Sequence, residues 1–211
     1  ASDVYKRQVY TGFKWIANVM RENEGKKNYI GGGEESYGFL CEDFVRDKDA
    51  VSACVILAEI AAWAKDQGLS LYQLLQKIYV EYGFSKEKGI SVVKKGKSGA
   101  EEIEAMMKKF RENPLTEIAG SKVTYFYDYS TLKGKDYAEN ETVTLDMPTT
   151  SNVLQYFTED NTKVSIRPSG TEPKIKFYCE VHSKVKSIDE LPEAEKAAEE
   201  KINQIKASLG I

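Results

Sequence analysis

Between Thr11 and Glu24 the apolar side chains recur every three or four positions, which is the spacing of one face of a helix. We predict a helix here that Thr11 caps and Gly25 ends. Two further segments, Ala50–Lys65 and Leu71–Tyr82, are largely apolar, and each follows a residue that commonly caps a helix. Both are therefore predicted to be helices.

Short extended segments flank a glycine-rich run between the first two helices. Tyr29-Ile30 predicts a short strand, and a second extended stretch ends near Leu40. The glycines at 31–38 predict a loop between them. Because strands and helices alternate, residues 1–82 are predicted to form a small mixed α/β domain, in which 1–8 is a polar tail.

After Gly83 the pattern changes to segments rich in β-branched and aromatic residues, which favour strands. The predicted strands are Gly89–Val93, Lys122–Tyr127, Val153–Phe157, Lys163–Ile166 and Ile175–Val181. Between two of them the polar stretch Tyr129–Glu141 is predicted to be a long, irregular surface loop.

Two helices accompany these strands. A capping box at Ser98 predicts the first, which Asn113-Pro114 ends. A second capping-box spacing at Ser187 predicts the last helix, from about Glu190 to Leu209. Residues 83–211 are therefore predicted to form an α+β domain with an antiparallel sheet and two helices.

Composition narrows the classes of partner. With 30 Lys+Arg against 33 Asp+Glu there is no general basic field to recruit nucleic acid, so an anion site must be local. No apolar run approaches the roughly twenty residues of a membrane span, and no signal peptide is evident. Three widely spaced cysteines are typical of buried thiols in a reducing compartment. We predict a cytoplasmic protein that binds neither nucleic acid nor membrane.

Near the C-terminus, the run Arg-Pro-Ser-Gly-Thr-Glu-Pro-Lys concentrates groups that bind phosphate. A guanidinium matches two phosphate oxygens at a time, an ammonium adds a point charge, and two hydroxyls can donate hydrogen bonds. A glycine lets backbone N–H groups come close to an anion. The candidate ligands are Arg167, Ser169, Gly170, Thr171 and Lys174. The alternative is an ordinary polar hairpin, which the same residue types favour.

The glycine-rich run 31–38 is a second candidate site. Glu34 and Ser36 can accept hydrogen bonds from the hydroxyl groups of a ligand such as a sugar. Glu34 and Glu35 are adjacent, and adjacent side chains of an extended segment point in opposite directions. Hydroxyl recognition is therefore favoured over glycoside hydrolysis, which needs two carboxyls facing one bond. The alternative is a turn with solvated glutamates.

Three other features of the sequence are weaker indications of a functional site. Gly96-Lys97-Ser98 lacks the first glycine of a P-loop, because Ser91 occupies that position. His182 is the only histidine, which excludes a histidine-rich metal site, and we predict no metal site in this chain. Arg46-Asp47-Lys48-Asp49 could place Arg46 or Lys48 beside an anionic ligand, or could be a charged helix entry.

Four motifs occur in one order along the chain: Thr11-Gly12-Phe13-Lys14, Gly33-Glu34-Glu35-Ser36-Tyr37-Gly38, Arg46-Asp47-Lys48-Asp49 and the run from Arg167 to Lys174. Together they resemble the α-D-phosphohexomutase superfamily, the phosphoglucomutases and phosphomannomutases, over most of the chain from about Val9. The second motif resembles that family's sugar-recognition loop and the fourth resembles its C-terminal phosphate-binding loop. One departure is Ala50, where many relatives have glycine.

The resemblance implies a role for individual residues. Four would bind the sugar: Lys14, Glu34, Ser36 and Arg46. Lys48 would assist proton transfer or stabilise charge. Five would bind the phosphate that is not being transferred: Arg167, Ser169, Gly170, Thr171 and Lys174.

The resemblance also implies what is missing. Family members have four domains, the first with a phosphorylated serine and the second with three aspartates that hold magnesium. Neither motif is found in this sequence. The chain resembles only the third domain, with or without its first strand, and the whole fourth, with a boundary predicted between Tyr82 and Gly83.

In the intact enzyme, the resemblance implies, the phosphoserine phosphorylates a hexose 1- or 6-phosphate, and the bisphosphate then turns over and returns the other phosphate. Mg²⁺ and glucose 1,6-bisphosphate are the implied cofactors. The implied partners are the phosphosugar and the missing N-terminal domains, without which the chain is expected to be inactive. A non-catalytic module for phosphorylated sugars, a phosphopentomutase-type relative and a purely structural domain stay open. The residues do not decide between glucose, mannose and pentose phosphates.

Overall fold

A computed structural model describes residues 6–94, 96–170 and 172–211. Contacts divide the chain into two compact units, Ala1–Leu74 and Leu75–Ile211. The predicted fold class is confirmed: five α-helices accompany antiparallel sheets in the described part of the chain. None of the described helices is both long enough and apolar enough to cross a membrane.

The first unit has two helices of its own and one antiparallel ribbon. Its elements are α1 (Phe13–Glu22), β1 (Gly31–Gly33), β2 (Phe39–Cys41) and α2 (Ala50–Asp66), and α3 (Leu71–Tyr82) contains the boundary. Phe13, Met20 and Leu40 are buried together, which packs α1 against the ribbon.

Two local predictions for this unit are wrong. Gly12, not Thr11, occupies the N-cap of α1, and no side chain caps the helix. The strand lies at the glycines of β1 and not at Tyr29-Ile30. A Cβ on Gly32 would lie 2.5 Å from Oη of Tyr29, so the absence of a side chain is what lets β1 pass this ring.

Helix α2 begins where predicted, because Oδ2 of Asp49 accepts a hydrogen bond from N of Ser52 at 2.8 Å. Its side chains are mostly apolar, yet only Ala64 is buried. The exposed apolar side chains of this helix are Val51, Val55, Leu57, Ile60 and Trp63. A helix that is apolar on all sides is normally covered, so this surface lacks the packing that its composition favours.

The second unit is built on a seven-strand antiparallel path in the order β3-β10-β9-β8-β5-β6-β7, with β4 paired to β5. The strands are β3 (Phe84–Val93), β4 (Glu117–Ile118), β5 (Ser121–Asp128), β6 (Lys133–Asp136), β7 (Glu141–Thr144), β8 (Leu154–Thr158), β9 (Lys163–Pro168) and β10 (Lys174–Ser183). Two helices complete it, α4 (Gly96–Glu112) and α5 (Leu191–Leu209).

The main hydrophobic core lies on the face of this sheet that α4 and α5 cover. Alternate residues of β9 and β10 are buried, among them Ile166 and Phe177, and they pack with Ile202 and Ile205 of α5. The intervening residues of both strands are only half-buried or exposed. The two-residue period of these strands therefore separates a core face from a second face that carries polar side chains.

The polar stretch 129–141 is not irregular, which corrects the sequence prediction. It contains β6, and β7 begins at its end, so the chain makes a hairpin here. A side chain on Gly134 would overlap the ring of Tyr127, so the aromatic ring packs over this glycine. Hydrophobic patterning misses a strand whose packing surface is supplied by a neighbouring strand.

Both capping-box predictions are wrong in position. Helix α4 begins at Gly96, two residues before Ser98. Helix α5 begins at Leu191, after a short 3₁₀ turn, and Ser187 makes no capping hydrogen bond. Gly210 ends α5 with a left-handed φ of 71°.

Strand β3 also begins five residues before the predicted Gly89, at Phe84. Its partner β10 continues to Ser183, and the two strands pair along their whole length. The cysteines are all free thiols, but only Cys179 is buried as predicted, because Cys54 lies on the exposed surface of α2 and Cys41 is half-buried.

Asp160, in the turn between β8 and β9, connects that turn to α5. Partial burial acts to raise the pKa of this carboxyl, but hydrogen bonds from Lys201, Thr158 and Thr162 outweigh burial and lower the pKa well below its usual range. A lowered pKa in the folded state means that the carboxylate stabilises the fold above the pKa of the unfolded chain. This contribution is lost as the pH falls toward the folded-state pKa.

We predict that Asp160→Asn lowers the free energy of unfolding by about 1 kcal/mol at pH 7, a value reduced for the solvent exposure of the pair. The difference from the parent chain should shrink below about pH 4, the ordinary Asp pKa. Urea unfolding at pH 7 and at pH 3 measures both values. Glu159→Gln is the matched control, and an equal loss from that variant would contradict the assigned role of Asp160.

Candidate functional site

The turn between β1 and β2 holds Glu34 and Ser36. N of Glu34 donates to O of Gly38 at 2.8 Å, and N of Tyr37 donates to O of Glu34 at 3.1 Å. Tyr37 has a left-handed φ of 68° and is almost fully exposed. The turn leaves Ser36 exposed and directs the side chain of Glu34 inward, where it is 8% exposed.

Glu34 forms an ion pair with Lys48. Oε2 of Glu34 lies 3.1 Å from Nζ of Lys48, which belongs to the loop before α2. Gly38 makes room for this pair, because a Cβ there would lie 2.5 Å from Cδ of Lys48 and 2.7 Å from Oε2 of Glu34. The glycine at the end of the turn is therefore a steric requirement of the pair.

The pair favours the protonated form of Lys48. The hydrogen bond with Glu34 raises the pKa of the Lys48 ammonium; desolvation opposes the shift, and the charges of Glu34 and Asp47 add to it. Nζ also lies 5.8 Å from the ring centroid of Phe13, in a cation–π arrangement that favours the charged form. An ammonium whose pKa is raised suits charge stabilisation and cannot serve as a general base while it is protonated.

The other predicted sugar residues of this unit are not part of the pair. Arg46 forms an ion pair with Glu24, with Nη2 3.0 Å from Oε1. Lys14 is exposed on α1, and its Nζ lies 5.1 Å from the ring centroid of Trp15. The structure thus brings together Glu34 and Lys48, while Lys14 and Arg46 contact other side chains.

The predicted phosphate loop is the turn between β9 and β10. N of Ser169 donates to O of Lys174 at 2.8 Å, and N of Lys174 donates to O of Glu172 at 2.7 Å. N of Glu172 donates to Oγ of Ser169 at 3.2 Å, and Gly170 is exposed. Thr171 lies outside the described residues.

The edge strand also supports this turn. N of Lys94, just after β3, donates to O of Pro173 at 2.9 Å. Two prolines and these backbone hydrogen bonds restrict the turn, which reduces the entropy that binding an anion would cost.

The cations of the turn differ in their surroundings. Nζ of Lys174 contacts the carboxylate of Glu172 closely, and this hydrogen bond, followed by the charge of Lys174, lowers the pKa of Glu172. Arg167 is half-buried near the end of β9, and no carboxylate among the described residues forms an ion pair with it. The loop therefore presents one neutralised cation and one unneutralised cation.

A cleft of about 470 Å³ lies between α4 and the other side of this turn. Pro168 and Ser169 line it from the turn, and Lys108 and Arg111 line it from α4. Arg111 is already paired, because Nε donates to Oδ2 of Asp128 at 2.9 Å and Nη2 donates to Oδ1 of Asn152 at 2.8 Å. Arg167 does not line this cleft.

Sequence reasoning missed one cation beside the loop, Lys176. In the β9–β10 register Lys176 lies directly opposite Arg167. The sequence contains a signal that could have found Lys176. Lys174 and Lys176 are two residues apart in a predicted strand, so their side chains share one face.

No group of three His, Cys, Asp or Glu side chains that could hold a metal ion occurs among the residues that the structure describes. The residues present therefore do not fit a magnesium site of the implied kind.

The first unit is thus a small α/β unit whose tight turn carries Glu34 and Ser36, and the second is an α+β unit with a cationic β-hairpin. The family profile of the phosphoglucomutase/phosphomannomutase alpha/beta/alpha domain III matches residues 4–82, and the profile of the phosphoglucomutase/phosphomannomutase C-terminal domain matches residues 91–198. The chain belongs to the phosphoglucomutase/phosphomannomutase family.

Curated relatives support this assignment. A phosphoglucomutase of Staphylococcus haemolyticus is 37% identical over 180 residues, which cover 85% of this chain and 32% of the relative. A phosphoglucomutase of Staphylococcus aureus is 40% identical over 177 residues, covering 84% of this chain and 32% of the relative. The chain thus spans about a third of the length of the curated relatives it matches.

A solved structure has a similar fold. The open form of the exocytosis-sensitive phosphoprotein pp63/parafusin, a phosphoglucomutase from Paramecium, aligns with a TM-score of 0.51 and 20% identity. The alignment covers 84% of this chain and 29% of that protein. At this identity the likeness concerns the fold.

We predict that Glu34→Gln lowers the pKa of the Lys48 ammonium, because the variant removes the carboxylate that contributes most to the upward shift. Asp47→Asn should lower it less, since Nζ of Lys48 lies 3.6 Å from Asp47 and 3.1 Å from Glu34. NMR titration of the Lys48 side chain in both variants gives the comparison. A larger change in Asp47→Asn would refute the dominant role of Glu34.

Proposed function

We propose that this chain is the C-terminal part of a phosphohexomutase that interconverts hexose 1-phosphate and hexose 6-phosphate. Membership of the phosphoglucomutase/phosphomannomutase family supports the reaction class. The reaction would proceed through a phosphoserine and a bisphosphate intermediate. This chain would contribute sugar and phosphate binding. The boundary between its two domains would lie between Tyr82 and Gly83, where α3 and the match to the domain III profile both end, eight residues beyond the boundary between the compact units.

The observation that carries the proposal is the unneutralised guanidinium of Arg167 at a hydrogen-bonded turn. Together with Ser169, Gly170, Thr171 and Lys174, Arg167 would bind the phosphate that is not being transferred. Such a site orients the substrate without taking part in bond breaking, and orientation is a large part of phosphoryl-transfer catalysis.

The first unit would bind the sugar. Ser36 is exposed and can exchange hydrogen bonds with a ring hydroxyl, and Glu34 keeps acceptor capacity beyond its bond to Lys48. Lys14 and Arg46 would also bind the sugar, and the substrate would then replace the Trp15 ring beside Lys14 and Glu24 beside Arg46.

Lys48 would act at the transferring end of the substrate. Because its pKa is raised, the amine stays positive through neutral pH and would stabilise negative charge on a transferring phosphoryl group, which the shift favours over assisting proton transfer. A role as a general base is disfavoured by the same shift.

The missing N-terminal domains would be the chain's partners, together with the phosphosugar substrate. The share of the relatives' length that is matched supports the existence of further domains, and the exposed apolar side chains of α2 support a surface that such domains would cover. Those domains would supply the phosphoserine and the Mg²⁺ site, and glucose 1,6-bisphosphate would be the activator. A reducing, cytoplasmic location would suit the three free thiols.

We predict that Arg167→Ala lowers affinity for glucose 6-phosphate by about tenfold or more, the effect of losing a charge-assisted hydrogen bond. Affinity for free glucose should change little, because glucose lacks the group that Arg167 binds. Isothermal titration calorimetry on a longer protein that includes the N-terminal domains measures the affinities for both ligands. Equal losses for the two ligands would count against the phosphate role.

The 211-residue chain alone is expected to show no turnover of glucose 1-phosphate to glucose 6-phosphate, because its sequence lacks the serine loop and the aspartate triplet. A coupled assay of the purified chain, with the longer protein as positive control, tests this. Turnover by the short chain would refute the proposal that other domains supply the groups needed for phosphoryl transfer. Inactivity of the longer protein with intact phosphosugar binding would favour a non-catalytic binding module.

A further inference from the structure

We infer that Lys94, in the segment between β3 and α4, is a positioning residue that fixes the β9–β10 turn against helix α4. Lys94 lies outside the four sequence motifs and acts through the turn, without contact to a ligand. The role rests on the proposed phosphate-binding function of the turn, and it assigns to α4 the task of holding that turn in place.

Strand pairing brings Lys94 to the turn. The last paired residues of β3 and β10 are Val93 and Lys174. One position beyond them, N of Lys94 donates to O of Pro173 at 2.9 Å. Proline has no N–H to donate in return, so this hydrogen bond ends the ladder and attaches the inside of the turn to the edge strand.

Helix α4 packs directly on the backbone of Lys94. Gly99, in the first turns of α4, is buried, and a Cβ there would lie 2.6 Å from both C and O of Lys94 and 2.8 Å from its Cβ. These are mostly backbone atoms, which cannot rotate out of the way as the end of a side chain can. Only a glycine therefore permits the helix to come this close.

An ion pair adds a second link between Lys94 and the helix. Nζ of Lys94 lies 3.0 Å from Oε2 of Glu102, which is three residues after Gly99 in α4. Both side chains are partly exposed, so we expect the modest contribution that is typical of surface ion pairs.

Helix α4 is itself firmly held. Ile103, Met107 and Phe110 are buried in the main core. Near the C-terminal end of the helix, Nε of Arg111 donates to Oδ2 of Asp128 at 2.9 Å. A helix anchored along its length and at this end cannot easily follow a displaced turn, so it can serve as a fixed reference.

The turn thus has three points of attachment. Strands β9 and β10 fix where it begins and ends, and Lys94 fixes Pro173 between them relative to α4. A loop restricted in this way loses less conformational entropy when it binds a ligand, and its groups stay close to the geometry that the ligand needs. The affinity of the turn for phosphate should therefore depend on residues of α4 that do not touch the ligand.

Gly99→Ala tests the packing contact. Alanine normally stabilises a helix relative to glycine. Here we expect the opposite local effect, because the added Cβ would push Lys94 away from Pro173. In the 211-residue chain, NMR hydrogen exchange of the Lys94 and Ser169 amides should become at least about tenfold faster, as expected when their hydrogen bonds open locally.

Two comparisons separate this local effect from a general loss of stability. The amides of Ile166 and Phe177, two buried residues of the paired strands, should exchange as in the parent chain. Gly89→Ala is the matched control, since an added Cβ on this exposed residue of β3 would meet no atom within 4 Å. Unchanged exchange of the Lys94 and Ser169 amides in Gly99→Ala would show that the packing does not hold the turn, and the inference would be wrong.

Glu102→Gln tests the ion pair through the sign of its effect. Removal of a negative charge near an anion site should strengthen anion binding if charge alone matters. If Lys94 positions the turn, the same variant should weaken binding of inorganic phosphate and of glucose 6-phosphate about threefold, the size expected from a surface ion pair. NMR titration of the 211-residue chain at pH 7.5 measures both affinities.

Matched variants complete this test. Glu101→Gln removes the same charge from the neighbouring exposed position and should not weaken binding. Lys94→Met should weaken binding about as much as Glu102→Gln, and Lys94→Arg should retain it. The double variant Lys94→Glu/Glu102→Lys restores the pair in reverse and should recover most of the lost affinity. Should Gly99→Ala fail to fold, these variants at exposed or partly exposed side chains still decide the question.

The failures can be told apart. If Lys94→Met weakens binding while Glu102→Gln strengthens it, Lys94 attracts the anion directly and is not a positioning residue. If the parent chain binds neither probe, the proposed function of the turn fails. In that case the exchange rates in Gly99→Ala still show whether Lys94 fixes the turn against α4.

Discussion

The antiparallel pairing of β9 with β10 is the constraint on which the second unit depends. Because side chains alternate between the two faces of a strand, the register that buries Ile166 and Phe177 against α5 also places Arg167 beside Lys176 on the opposite face. A shift by one residue would expose the apolar set and bury the cations. Arg167 and Lys176 therefore lie on neighbouring strands although their like charges repel. Burial of the apolar residues on the other face stabilises this register against the repulsion.

The first unit uses steric restriction for a similar purpose. Its ribbon turn leaves no room for a side chain at Gly38, and this space is taken by the ion pair of Glu34 with Lys48. The carboxylate favours the charged form of the ammonium, which also lies close to the ring of Phe13. A lysine from the entry of α2 is thus tied to a turn that precedes it by ten residues, so the two predicted motifs form one cluster.

Elements with strong local signals were predictable. Helix α2 begins at its capping Asp49, and Gly210 ends α5, because a cap and a left-handed glycine act within a few residues. Errors occurred where a distant strand supplies the missing contact. Strand β6 is polar, and its place in the sheet depends on pairing with β5 and on packing of Tyr127 over Gly134. Pairing across the sequence is not encoded in any local pattern.

Residue types and their order along the chain were enough to predict the fold class, the family resemblance and the chemical character of both turns. Which charges lie beside one another could be read only from the folded chain, because it depends on contacts between residues that are distant in sequence. Lys174 and Lys176 are equivalent in the sequence, yet the turn brings Glu172 to Lys174, and the strand register brings Arg167 to Lys176. The availability of a charge depends on what lies opposite in space, and that is set by strand pairing and turn geometry.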